Sequence, residues 1–155
     1  MDYISTRGRV PPVSSKKAIL KGIADDSGLY VPSTFPSLRA APFAPGASYA
    51  ERAAAILRVF LTDYTESELI KACRAAYREN FDHPRTAPLQ FLGDGTGVLE
   101  LWHGPTLAFK DMALQIMPLL FHAAILHRRR VEPERSPQRY LILVATSGDT
   151  GKAAL

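Results

Sequence analysis

A lysine stands in the stretch HGPTLAFKD, residues 103–111, among Leu107, Ala108, Phe109, Met112, Ala113 and Leu114. Gly104 and Pro105 bring the chain round a corner, and the apolar run after them predicts a helix. Lys110 then falls in the first turn or two of a helix that is apolar on most sides. Burial disfavours an ammonium, and so does the positive end of a helix. A lysine whose pKa is lowered in this way is a nucleophile and can form a Schiff base with an aldehyde. Asp111 opposes the shift in part, because a nearby carboxylate favours the charged form. A second reading stays open: the amine snorkels to solvent or pairs with Asp111.

The second chemical stretch is TSGDTG, residues 146–151. It follows a continuous apolar run, YLILVAT at 140–146, which predicts a strand buried on both faces. The stretch itself turns into a new helix. Ligands of open α/β sheets bind at that edge, and free N–H groups at a helix start suit a carboxylate or a phosphate. Gly148 and Gly151 allow close backbone approach, Ser147 and Thr150 offer hydroxyls, and Asp149 an acceptor. A capped turn with no ligand is the alternative. A Walker A loop is excluded, because Thr146 stands where its first glycine belongs and Ala153 follows Lys152.

The elements that must position these residues belong to an ordinary globular chain. It has 155 residues, 46% hydrophobic and 22% charged, with a net charge of +4. That charge is spread out apart from HRRR at 127–130, and no basic–aromatic pattern marks a nucleic-acid binder. Cys73 is the only cysteine, so neither an intrachain disulfide nor a cysteine-based zinc site can form; this fits a reducing cytosol. The N-terminus carries no secretory signal. The most apolar stretch, 112–126, is too short and too interrupted to span a bilayer.

Along the chain, residues 3–6 predict a short strand. Ser14 or Ser15 caps a helix to about Ile23, with Ala18, Ile19 and Ile23 on one side. Leu29–Val31 form a brief strand that Pro32 stops. Residues 36–47 read as a loop. A helix then carries Ala53, Ile56, Leu57, Phe60 and Leu61 on one stripe. Thr65 and Glu68 have the spacing of a capping box for the next helix, whose apolar face is Ile70, Cys73, Ala76 and Tyr77. PLQFL and GVLELW flank GDGT as a hairpin. A long helix to about Arg130 is kinked or broken at Pro118 and ends on HRRR, which suits its negative end. The fold class is α/β: residues 1–87 form a mostly helical region with short strands, and 88–155 the start of an α/β domain with a parallel sheet. Too little chain follows the 140–146 strand to cover it, so the expectation is a truncated, catalytically incomplete N-terminal part.

Four segments, YISTRG at 3–8, AILKGIADDSGLYVP at 18–32, LELWHGPTLAFKDMALQ at 99–115 and VATSGDTGKAA at 144–154, resemble in their order the threonine synthases. These are pyridoxal 5'-phosphate (PLP) enzymes of fold type II, with a tryptophan-synthase-β-like architecture. The resemblance implies conversion of O-phospho-L-homoserine and water to L-threonine and phosphate. It makes Lys110 the residue that holds PLP as a Schiff base and afterwards carries protons between the α and β carbons. It assigns Ser147, Gly148, Asp149 and Thr150 to the loop that holds cofactor and substrate carboxylate, and Thr106 to the substrate. His103 and Asp111 take supporting roles beside the lysine. Lys152 departs from the small residue expected there, and the cup for the PLP phosphate is expected downstream of this chain. The implied enzyme is cytoplasmic, compatible with a homodimer, and without metal, nucleic-acid or membrane partner. The alternatives are a threonine-synthase-like phospho-lyase and a non-catalytic interaction domain.

Overall fold

The computed structural model describes residues 1–40, 43–134, 139–146 and 148–154. Its N-terminal sheet is antiparallel, in the order β2-β1-β3, with β1 Asp2–Ser5, β2 Val13–Ser14 and β3 Tyr30–Pro32. Tyr3 lies opposite Val13 on one side and Pro32 on the other. Proline lacks the N–H of a central strand and is tolerated here because β3 is an edge. The loops beyond the sheet are tied by one carboxylate. Asp26 accepts from the Ser5 hydroxyl at 2.7 Å, Arg9 N at 3.0 Å and Gly28 N at 3.0 Å. Gly28 must be glycine, since a Cβ there would lie 2.0 Å from Ser5 Oγ.

Helix α1, Ser15–Lys21, is capped by the Ser14 side chain. A second acceptor comes from far along the chain: Asp63 takes the Ser15 hydroxyl and, at 2.9 Å, Lys16 N. Burial pushes the Asp63 carboxyl up, but these hydrogen bonds outweigh it and leave it below the usual carboxylate range. Helices α2, Tyr49–Phe60, and α3, Glu66–Tyr77, each open on a capping box, Ser48 with Glu51 and Thr65 with Glu68. Glu68 has a second partner. The Lys16 ammonium, whose side chain is only 5% exposed, lies 3.2 Å from its carboxylate and 4.6 Å from the Tyr64 ring centroid. One glutamate thus caps α3 and neutralises a buried cation from α1.

The core is helical. Leu69, Cys73, Ala76 and Tyr77 of α3 meet Ala50 and Ala54 of α2, and Ile116, Leu120 and Ala124 of the long segment. On α2 the buried residues are Ala50 and Ala54. The expected stripe is rotated only in part: Leu61, just past the helix, joins the core, Ala53, Leu57 and Phe60 pack at its margin, and Ile56 is partly exposed, because the small alanines let α3 approach closely. Ile23 lies beyond α1 and is 62% exposed. The predicted long helix is two, α4 Asp111–Leu114 and α5 Met117–Val131, with Pro118 in the first turn of α5. Proline has no N–H to continue a helix and tolerates only the first turn. Arg128, Arg129 and Arg130 close α5 at its negative end.

The hairpin forms as β4 Leu89–Phe91 and β5 Gly97–Leu99, antiparallel, with Gln90 opposite Val98. The predicted buried strand at 140–146 does not form. Leu141 and Leu143 are each 88% exposed. No described strand runs beside this segment, so its backbone has no ladder and its side chains have no covering layer. Its start is anchored by the Tyr140 ring packed edge-on against Phe121 at 4.9 Å. Both sheets among the described residues are antiparallel.

Replacing Glu68 with alanine removes a cap and strands a buried ammonium. It is expected to cost about 3 kcal/mol in urea unfolding, whereas Lys16→Met, which keeps the packing stem, costs about 1 kcal/mol or less.

Candidate active site

The lysine loop is built around a buried carboxylate. Asp111 is fully buried and accepts from Thr106 N at 2.9 Å and from the Thr106 hydroxyl at 2.8 Å. These bonds draw the chain back on itself across five residues. The loop therefore has two backbone peculiarities. A Cβ on Gly104 would lie 2.4 Å from Asp111 Oδ2, so only glycine fits. Leu107 takes a left-handed φ of 60°, an unfavourable conformation for a branched side chain. Leu107 is 67% exposed, and so the strain is not offset by burial of its own side chain.

Lys110 is the residue before α4, and its carbonyl accepts from Ala113 N and Leu114 N. It is half-buried, and it caps a short helix where the sequence predicts the first turn or two of a long one. The helix it precedes has a single turn, because the Pro118 break follows so soon. Its ammonium lies 4.5 Å over the Phe109 ring. The pairing with Asp111, one of the alternatives left open by the sequence, is not made; Thr106 engages both carboxylate oxygens.

Lys110 stands on the wall of a cavity of about 780 Å³. Tyr49, Arg52, Ala53 and Ile56 of α2 form one side; Leu99, Leu101, Met112, Ala113 and Thr150 are among the others. The lining is mainly apolar with a few polar groups, as ligand sites are. Tyr49 and Arg52 carry no local spacing signal; α2 brings them here only because it packs on α3. The Tyr77 hydroxyl fixes the far wall by donating to Met112 O at 2.7 Å. That carbonyl lies near the end of a one-turn helix, where intrahelical partners run out.

The TSGDTG stretch is brought to the same place in part. Thr150 reaches the Lys110 cavity. Gly148 has φ 135° and precedes α6, Asp149–Ala154, which packs on α4. Asp149 begins α6 and does not line the cavity. Ser147 lies outside the described residues. Lys152 is turned toward the lysine loop, with Nζ 3.4 Å from Thr106 O. His103 does not line the cavity; its ring is held by Asp82 and Glu100. Among the described residues no cluster of three or more His, Cys, Asp or Glu is arranged to hold a metal. No helix among them is long and apolar enough to cross a membrane.

Fold and site define a mixed α/β chain that presents a lysine at the wall of a ligand-sized cavity. Residues 2–77 match the family described as threonine synthase N terminus. The whole chain is 38% identical to threonine synthase of Schizosaccharomyces pombe, of which it covers 31%. It is 40% identical to human Threonine synthase-like 1, with 99% of this chain aligned to 21% of that one. The fold superposes with a TM-score of 0.84 on PLP-bound threonine synthase from Brucella melitensis, at 38% identity, covering 99% of this chain and 32% of that structure. The chain belongs to the threonine synthase family and corresponds to its N-terminal portion; it spans about a third of the length of the threonine synthases it matches.

Gly104→Ala is expected to destabilise the chain by about 1–3 kcal/mol, since a buried carboxylate must move. Leu107→Gly relieves the left-handed strain, offset by glycine's entropy, and is expected to stabilise it by about 0.5–1 kcal/mol. Thermal and denaturant unfolding of the two variants measure this opposition.

Proposed function

We propose that Lys110 carries pyridoxal 5'-phosphate covalently, and that the protein takes part in converting O-phospho-L-homoserine and water to L-threonine and phosphate. The observation that carries this reading is Lys110 on the wall of a cavity of about 780 Å³, in a chain of this family. The residues fit the cofactor. The volume admits a substituted pyridine ring, the apolar lining suits its faces, and an amine stands within the site.

Bound there, PLP supplies the electron sink that lets protons leave carbon next to the amino group. The rest falls to the chain. Once displaced by the substrate amine, the Lys110 amine takes a proton from the α carbon and moves protons at the β carbon. The bond from the γ carbon to the phosphate oxygen breaks and its electron pair leaves with phosphate, the γ carbon takes up a proton to become the methyl group, and water gives its hydroxyl to the β carbon. Thr150 faces the same cavity, and with Ser147, Gly148 and Asp149 we assign it to substrate carboxylate and cofactor. Thr106 has its hydroxyl engaged by Asp111, so its share in substrate binding is chiefly to set the loop. His103 and Asp111 support the lysine from behind. On this reading residues 1–87 form a helical region with short strands, and 88–155 begin the cofactor domain. The enzyme is cytoplasmic, its partners are the small substrate and a second copy of the chain, and no metal is used.

A second reading is a phospho-lyase that eliminates phosphate without forming threonine. Product identification separates the two.

Borohydride reduction in the presence of PLP, followed by peptide mapping, is expected to leave a pyridoxyl group on Lys110, in the longest protein that carries these residues. Lys110→Ala should lose the adduct and at least about 10³-fold of turnover. A folded, PLP-saturated protein with no adduct at Lys110 overturns the proposal.

A further inference from the structure

The imidazole of His103 has a carboxylate at each nitrogen. Nδ1 lies 2.6 Å from Asp82 Oδ1, and Nε2 lies 2.7 Å from Glu100 Oε2. An ionised carboxylate only accepts, and a neutral imidazole has one N–H and one lone pair. Only the imidazolium can donate to both. The ring is well covered, with a side chain 14% exposed; Glu100 is 19% exposed and Asp82 71%. The backbone repeats the tie, since Asp82 N donates to His103 O at 3.0 Å. His83 is the other titratable neighbour, its ring 4.9 Å away and its Nδ1 accepting from Arg85 N. The Trp102 ring lies 5.8 Å from it, centroid to centroid. The next residue is Gly104, pressed against the Asp111 carboxylate.

We propose that His103 is a positioning residue, held as the imidazolium between Asp82 and Glu100, and that its protonation anchors the loop that presents Lys110. Without its second proton the ring turns a lone pair on one carboxylate at hydrogen-bond distance, and that side of the anchor opens. The hydrogen bond to Glu100 raises the His103 pKa above its ordinary 6.5; burial opposes this and Asp82 adds to it. The anchor is therefore complete below about pH 6.5 and is lost as pH rises through the higher folded value. The anchoring stands on the geometry alone; its consequence for catalysis rests on the reading of Lys110 given above.

The test is nitrogen-detected NMR of the His103 ring, with amide-exchange protection of Thr106 and Asp111, from about pH 5 to about pH 9. Two ring N–H groups are expected at neutral pH. Protection at both amides should fall about tenfold as the ring titrates, the worth of one charge-assisted hydrogen bond. Glu100→Gln, which keeps the shape, should move that midpoint to lower pH, and His103→Gln should abolish the step in a folded protein. A ring with one N–H at neutral pH, or protection unchanged through the titration, overturns the inference. The borohydride adduct is read separately: a pH step without an adduct sustains the anchor and sinks the cofactor reading, and an adduct without a step does the reverse.

Discussion

The carboxylate of Asp111, fully buried, takes both the backbone N–H and the hydroxyl of Thr106. Everything particular about the lysine loop follows from this closure. Gly104 has no room for a Cβ, and Leu107 is bent into the left-handed region at about 1–2 kcal/mol. Hydrogen bonds to a charged acceptor contribute about 1.5–3 kcal/mol each. Two of them exceed the strain. Asp111 is thereby withheld from Lys110, whose amine rests over the Phe109 ring at the cavity wall.

A loop pinned to itself still has to be pinned to the protein, and hydroxyls do this. The Tyr77 hydroxyl holds Met112 O, and the Thr86 hydroxyl holds Tyr77 O in turn. The Tyr64 hydroxyl holds Leu120 O of α5 at 2.9 Å. Burial drives the pKa of both phenols well up, so they remain donors at pH values where a free tyrosine would ionise. The buried Cys73 thiol beside them is pushed up to about 11, which makes it a packing group and not a nucleophile.

Helix α1 is tied to the helices beside the site through charge. Asp63 caps α1 from beyond α2, and Glu68 meets the buried Lys16 while capping α3. These contacts set α1 and α3 relative to each other. The α2–α3 pair in turn carries Tyr49 and Arg52 to the side of the cavity facing Lys110. Removing a carboxylate from this chain of contacts disturbs more than its own helix, because each one serves two elements.

Local chemistry in the sequence determined much. The Thr65–Glu68 box, the cap at Ser14, the Pro118 break and the GDGT hairpin all form as spacing predicts, because caps, breaks and tight turns depend on neighbouring residues. The ordered segments around Lys110 also carried the resemblance that the fold bears out. Tertiary structure decided what depends on distant partners. The apolar run at 140–146 has the composition of a buried strand yet forms none, since a strand exists only beside another. Asp111 turned from the adjacent lysine to Thr106, and His103 found Asp82 across 21 residues. Tyr49 and Arg52 share a cavity with Lys110 from more than a third of the chain away. Hydrogen bonds and cavities are set by proximity in space, and a local pattern carries that proximity only within a turn or two of the chain.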